Sequence, residues 1–184
     1  MEIRILSREE QEQIYAPAYG MLEAADEEFV PPLSSRSSST QQDFSEREKG
    51  SSIEKYFEQL KEQRFAAVFE EGNLIAFVSY RENYTCSHIP PEELPNIYLS
   101  TLVVSPDARG KGVTTALYGK LFSAYGNVSV FTRTWSTNIA HIKILQKYGF
   151  GVHKVLENDR GNGIDTVYFK KHPGQTAEGT APLC

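Results

Sequence analysis

Polar and apolar residues alternate from Glu2 to Leu6, which predicts a half-buried strand. Ser7, followed by acidic residues, then predicts a helix N-cap. The helical region it opens extends to about Phe29, with a break near Pro17, because proline removes a backbone donor and disfavours helix in the residue before it. Residues 33–50 turn to Ser, Thr, Gln and charge, the composition of a long loop. Ser51-x-x-Glu54 has the form of a capping box. Ile53, Phe57 and Leu60 supply one apolar stripe for a helix to about Gln63. Phe65–Phe69 and Leu74–Tyr80 flank Glu71-Gly72-Asn73 and predict a hairpin.

Residues 86–95 carry three prolines and read as a loop, followed by a strand over Ile97–Val104. A helix from about Gly110 to Tyr125 places Val113, Ala116, Leu117, Leu121 and Ala124 on one face. A strand over Val128–Trp135 comes next, then a helix opening at Asn138 that is apolar around most of its circumference. Strands at Phe150–Leu156 and Thr166–Lys170 enclose a Gly-Asn-Gly turn. The order predicts one mixed α/β domain over residues 1–172, with 173–184 a disordered tail.

The junction between the Ile97–Val104 strand and the next helix carries the most chemistry. Arg109-Gly110-Lys111-Gly112 stands where a helix N-terminus aims its free N–H groups and the positive end of its dipole. Gly110 and Gly112 tolerate positive φ and a close ligand, while Arg109 and Lys111 add charge. This combination suits a polyanionic, pyrophosphate-bearing cofactor. A Walker A loop is excluded, because Lys111 is followed by Gly112 and Ser105 holds the upstream glycine position. A dinucleotide fingerprint is excluded by Thr115, where its last glycine belongs.

What remains resembles the acyl-coenzyme-A loop of the GNAT superfamily of N-acetyltransferases, Gln/Arg-x-x-Gly-x-Gly/Ala. Arg109 and Gly112 match it, and Thr114 does so imperfectly. Asn138-Ile-Ala-His-Ile-Lys-Ile-Leu-Gln-Lys-Tyr-Gly-Phe150 is similar to a second motif of that family, in the expected order. Taken singly, the first is an ordinary glycine turn, and Asn138 is an ordinary cap. The resemblance covers residues 65–172 well and the N-terminal third only in architecture. It implies a GNAT-like mixed central sheet flanked by helices, whose two parallel central strands splay to admit acetyl-CoA as co-substrate. Leu102, Val103, Val104, Arg109, Gly110, Lys111, Gly112, Val113, Thr114, Thr115 and Asn138 are the implied cofactor contacts. A backbone N–H of Leu102 or Val103 is the implied oxyanion donor.

Two departures from the family bear on mechanism. Ser100 and Thr101 stand where relatives often carry a carboxylate base. A lysine-like amine with pKa near 10.4 is neutral in only about one molecule in a few thousand at pH 7, so its proton must go elsewhere. Asp26, Glu27, Glu28 and Glu82 are the candidate carboxylates, each also readable as a solvated acid. Leu145 replaces the family's acidic tyrosine, and Tyr148 is the substitute to weigh against simple packing. A thiol with pKa near 8.5 can also leave without a dedicated acid.

Composition narrows the rest. A formal charge of −5 disfavours nucleic acid and suits a cationic acceptor, though net charge is a weak guide to a local site. Two cysteines, no signal-like N-terminus and no apolar span point to the cytoplasm and away from membranes. His88, His141, His153 and His172 are not at metal-ligand spacing, so no metal is expected. Arg36, amid serines, reads as a solvated loop residue or a lid contact. Trp135, with Phe131 and Arg133 at alternate strand positions, reads as packing or as lining of the acceptor cleft. The expected function is acetyl transfer to an amine of a small molecule or peptide, with a homodimer compatible. A regulatory acyl-CoA-binding module is the alternative, and a nucleotide-binding protein is disfavoured by both failed motifs.

Overall fold

The computed structural model describes residues 1–44 and 50–175. Seven strands form one mixed sheet in the order β1-β2-β3-β4-β5-β7-β6. They are β1 (Glu2–Ile5), β2 (Arg64–Glu70), β3 (Asn73–Glu82), β4 (Asn96–Val104), β5 (Ser129–Trp135), β6 (Gly151–Leu156) and β7 (Thr166–Lys171). The helices are α1 (Arg8–Ala25), α2 (Ile53–Lys61), α3 (Val113–Ala124) and α4 (Ile139–Lys147). The fold is the mixed α/β arrangement expected of the family. The part of the expected tail from residue 176 onward lies outside the described residues.

One face of the sheet packs against α3 and α4 through Val78, Leu99, Leu117, Leu121 and Leu145. The other packs against α1 and α2 through Leu22, Tyr56, Leu60, Phe65 and Phe77. A sheet covered on both faces explains why strand β2 is buried at every position from Phe65 to Phe69. Burial of Phe65, Val68 and Phe69 contributes roughly 1.5–3 kcal/mol each.

Three local expectations are corrected. Helix α1 continues unbroken through Pro17 to Ala25. Ile14, Ala18 and Leu22 are buried on both sides of the exposed proline, and this packing outweighs the roughly 3 kcal/mol that a mid-helix proline costs. The N-cap of α2 is Ser52, which accepts the Lys55 N–H, one residue beyond the expected Ser51. The segment after Pro32 is no plain solvated loop over its described part. Leu33 and Arg36 are buried, and the Arg36 Nε–H and Nη2–H donate to the Pro31 carbonyl at 2.9 and 2.7 Å.

Candidate active site

Strands β4 and β5 form the one parallel pair among the described strands. They pair only from Asn96↔Ser129 to Leu99↔Thr132. Thr132 Oγ1–H donates to the Leu99 carbonyl at 3.1 Å. Beyond that point β4 continues to Val104 and β5 runs on to Trp135 paired with β7 alone. The gap opens a cavity of about 480 Å³.

The β3–β4 register shifts between Ser79 and Tyr80, leaving Ser100 as the extra residue of a bulge. Ser105 N–H donates to the Ile75 carbonyl at 2.9 Å. By the alternation of an antiparallel ladder, Val103 then directs its N–H into β3. Leu102 and Val104 direct theirs into the cleft. Of the two expected oxyanion donors, Leu102 is therefore the one facing the cavity, and Val103 lines it through other atoms.

Gly110 and Gly112 adopt φ of +72° and +76°, the left-handed conformation for which glycine was expected. A Cβ on either would meet no protein atom within 4 Å, so the space before the loop is open. Gly112 is the N-cap of α3 and receives no side-chain cap. The first turn of α3 thus presents its N–H groups and dipole to that space. These features fit a pyrophosphate.

Leu102, Val103, Val104, Arg109, Gly110, Gly112, Val113, Thr114, Thr115 and Asn138 all line the cavity. Lys111 is exposed and does not line it. Asn138 is cap and lining residue at once. Its Oδ1 accepts the His141 N–H at 3.4 Å, and its Nδ2–H donates to Thr134 Oγ1 at 3.0 Å. The Arg109 Nη2 lies 2.9 Å from each Glu28 carboxylate oxygen, and its Nε–H donates to the Val104 carbonyl.

The candidate carboxylates scatter. Glu28 lines the cavity but is paired with Arg109. Asp26 accepts the Ser34 N–H and Oγ–H, and Glu82 accepts the Tyr125 hydroxyl. Glu27 does not line the cavity. Thr101 shares a 2.7 Å hydrogen bond with Tyr56, and Ser100 bonds Ser79 and Gln63.

Tyr148 does not line the cavity; its hydroxyl donates to the Thr115 carbonyl at 2.5 Å and its ring packs on Phe122. Leu145 is fully buried core. A different pair reaches the cavity, Tyr118 and His141, joined hydroxyl to Nε2 at 2.8 Å. Burial raises the Tyr118 pKa and pushes His141 down to about 4. The only hint of Tyr118 in the sequence is a hydroxyl on a helix stripe, a feature shared with many core tyrosines.

The match of a family model, the acetyltransferase (GNAT) family, extends over residues 21–150. The chain belongs to the GNAT acetyltransferase family. Sequence comparison with curated proteins finds no match. Among solved structures, the chain is similar to a ribosomal-protein-alanine N-acetyltransferase from Brucella melitensis (TM-score 0.64, 16% identity, 94% of this chain and 99% of that one). It is also similar to an N-acetyltransferase from Staphylococcus aureus Mu50 (0.63, 18%, 93% and 97%). A third is a Salmonella typhimurium protein solved with its cofactor acetyl-CoA (0.61, 15%, 100% and 98%). At these identities the likeness is one of fold. This GNAT acyltransferase uses acetyl-CoA and acts on an amine acceptor, and the reading as a regulatory module is not favoured. Among the described residues no helix is long and apolar enough to cross a membrane.

Proposed function

We propose that the cleft between β4 and β5 is where this GNAT protein performs direct acetyl transfer. The observation that carries this reading is the parting of β4 from β5 after Leu99 and Thr132, with an uncapped helix start at the mouth of the gap. The first-turn N–H groups of α3, with Arg109 and the turn at Gly110 and Gly112, would hold the pyrophosphate of acetyl-CoA. Val104 would bind its pantetheine arm through backbone groups. Acetyl-CoA supplies an activated acyl thioester. The Leu102 N–H would donate to the developing oxyanion, a role worth about two to three orders of magnitude for a single donor.

Proton handling follows from the same geometry. No carboxylate lining the cavity, among the described residues, is free of an ion pair, since Glu28 is held by Arg109. The acceptor amine then loses its proton to solvent. Tyr118, kept protonated by burial, is the hydroxyl positioned as acid. With hydrogen on His141 Nε2, the imidazole donates to the Tyr118 oxygen and leaves the phenol hydrogen for the departing sulfur.

Isothermal titration and a thiol-release assay over an amine library test the proposal. Acetyl-CoA should bind while ATP and NAD should not, and at least one amine should release coenzyme A. For that amine kcat/KM should rise with pH toward the amine's own pKa, with no plateau near 7. Binding of ATP or NAD in place of acetyl-CoA would contradict the site, and a plateau near neutrality would reveal an enzyme base.

A further inference from the structure

Three arginines from distant parts of the chain converge beside the cleft. Arg36 comes from the segment after α1, Arg133 from β5 and Arg160 from the turn between β6 and β7. Arg36 and Arg160 are 6% and 8% exposed. All three guanidinium carbons lie near one aromatic ring, that of Phe44, at 5.3, 4.9 and 4.6 Å from its centroid. Burial, and after it the like charge of neighbouring arginines, lowers the Arg36 and Arg160 pKa values to about 10 and about 9. All three remain charged at neutral pH.

The cluster meets the cavity through Arg133, while Arg36 and Arg160 lie buried behind it. Arg133 lines it directly, one residue beyond the last β4–β5 pair. Phe29 and Trp135 form an aromatic part of its wall, with ring centroids 5.9 Å apart. Arg36 lies over Phe29 at 5.6 Å and Arg160 over Trp135 at 5.8 Å. Charge and wall therefore meet at one end of the cleft.

Burying like charges together is unfavourable unless something compensates them. Among the described residues none of the three arginines forms an ion pair. Their hydrogen bonds go to neutral acceptors. Arg36 donates to the Pro31 carbonyl, Arg133 to the Tyr168 hydroxyl, and Arg160 to the Val30 carbonyl and Thr166 Oγ1. Asp159 stands one hydroxyl away, accepting from Thr166 Oγ1. Asp26 is nearby but accepts from Ser34. The face of the Phe44 ring offsets part of the charge by cation–π attraction. Neither carboxylate forms an ion pair with a guanidinium, so among the described residues the three charges are not neutralised by direct pairing. Guanidinium groups at a cleft suit a planar oxyanion, which they bind through paired, charge-assisted hydrogen bonds.

We propose that Arg133, with Arg36 and Arg160 reinforcing its charge from behind, forms an acceptor subsite for an oxyanion, so that the amine acetylated in the neighbouring cleft belongs to a small molecule that also bears a carboxylate or comparable anionic group. This rests on the cleft being the acetyl-transfer site. It reverses the expectation of a cationic acceptor drawn from net charge: the chain carries −5, yet this end of the cleft is locally basic.

The test uses the full chain and needs no turnover. Trp135 is the single tryptophan, so its emission reports on the cluster, with calorimetry in parallel. The probes are N-acetyl amino acids, which have the form of the expected products, each paired with its neutral carboxamide, and N-acetyl aminoalkylphosphonates. At least one acid should bind saturably, at least 100-fold more tightly than its carboxamide. Tighter binding by phosphonates than by carboxylates would identify a phosphorus oxyanion as the preferred group within the same subsite. Arg133→Gln should remove most of that acid-over-amide preference and Arg133→Lys should retain part of it. If no acid binds, or if acids and carboxamides bind alike, the proposal is overturned by the wild-type chain alone, whatever the variants do. A parallel titration with acetyl-CoA separates the two readings. Normal acetyl-CoA binding without acid selectivity sinks the anion subsite alone, whereas acid selectivity without acetyl-CoA binding sinks the cofactor site.

Discussion

The two ends of the cleft are built in opposite ways. The cofactor end, from Leu102 to Thr115, comes from fourteen consecutive residues in which strand, turn and helix follow one another. The basic end assembles Arg36, Arg133 and Arg160 from three separate segments of the chain, and the Tyr168 hydroxyl and Val30 carbonyl that hold Arg133 and Arg160 are brought near only by the tertiary fold. A site made from local backbone geometry recognises a feature common to all reactions of its class. A site made from side chains that long-range packing delivers can change with each acceptor.

If the cofactor end depends on backbone geometry, its largest vulnerability is Gly112. Gly112→Val forces a β-branched residue to φ +76° and puts methyl groups in the open space before the loop. Acetyl-CoA affinity should fall by about 100-fold or more in calorimetry, from the lost close approach and the helix N-terminus together. The melting temperature should reflect only about 1–3 kcal/mol of backbone strain. Normal acetyl-CoA binding by this variant would move the site elsewhere. Arg109→Ala should be milder, because backbone donors share the charge and Glu28 is released as well.

The His141 ring supplies a pH test of how deeply that wall is buried. Its folded pKa of about 4 lies below the ordinary 6.5, so burial favours the neutral ring. Its contribution to stability is intact above pH 6.5 and lost as pH falls toward 4, because the unfolded chain takes up the proton first. The loss attributable to this one group is about 2 kcal/mol, allowing for incomplete burial of the ring. Denaturant melts at pH 7 and pH 4.5 should show it, and His141→Phe should reduce the difference. An unchanged difference would mean that the ring is hydrated and readily charged.

Tyr118→Phe probes the proposed acid and should lower kcat by about tenfold, less than a strong general acid contributes, because the thiolate is already a fair leaving group. No change would remove Tyr118 from the chemistry. Tyr148→Phe should be the smallest effect. It deletes the hydrogen bond to the Thr115 carbonyl, costing about 1 kcal/mol of stability, and should alter kcat by less than about threefold. A hundredfold loss of kcat with acetyl-CoA affinity intact would instead make Tyr148 the acid.

These differences track what could be read from the sequence. Gly110 and Gly112 were legible because positive φ and a helix start are written into adjacent residues. The hairpin turning at Glu71-Gly72 and the N-cap at Ser7 were legible for the same reason. Pro17 misled because the cost of a proline is local, while the packing of Ile14, Ala18 and Leu22 that overrides it is not. Arg36 looked solvated amid serines, since nothing beside it in the chain announces Arg133 or Arg160. The Tyr118–His141 pair joins two helices across 23 residues and leaves no motif. Leu145, read from the sequence as a departure from the family, is buried in the core, and that burial points to no group that would act as the acid in its place.

Residue-resolved hydrogen exchange with and without acetyl-CoA reads the cofactor site amide by amide. Acetyl-CoA should slow exchange at the cleft-facing Leu102 and Val104 amides and at the amides of Gly110 to Thr115. The Val103 amide, committed to β3, should change little. Protection confined to another surface, or equal protection of Val103 with no effect across residues 110–115, would contradict the assignment of this loop and parted strand as the acetyl-CoA site.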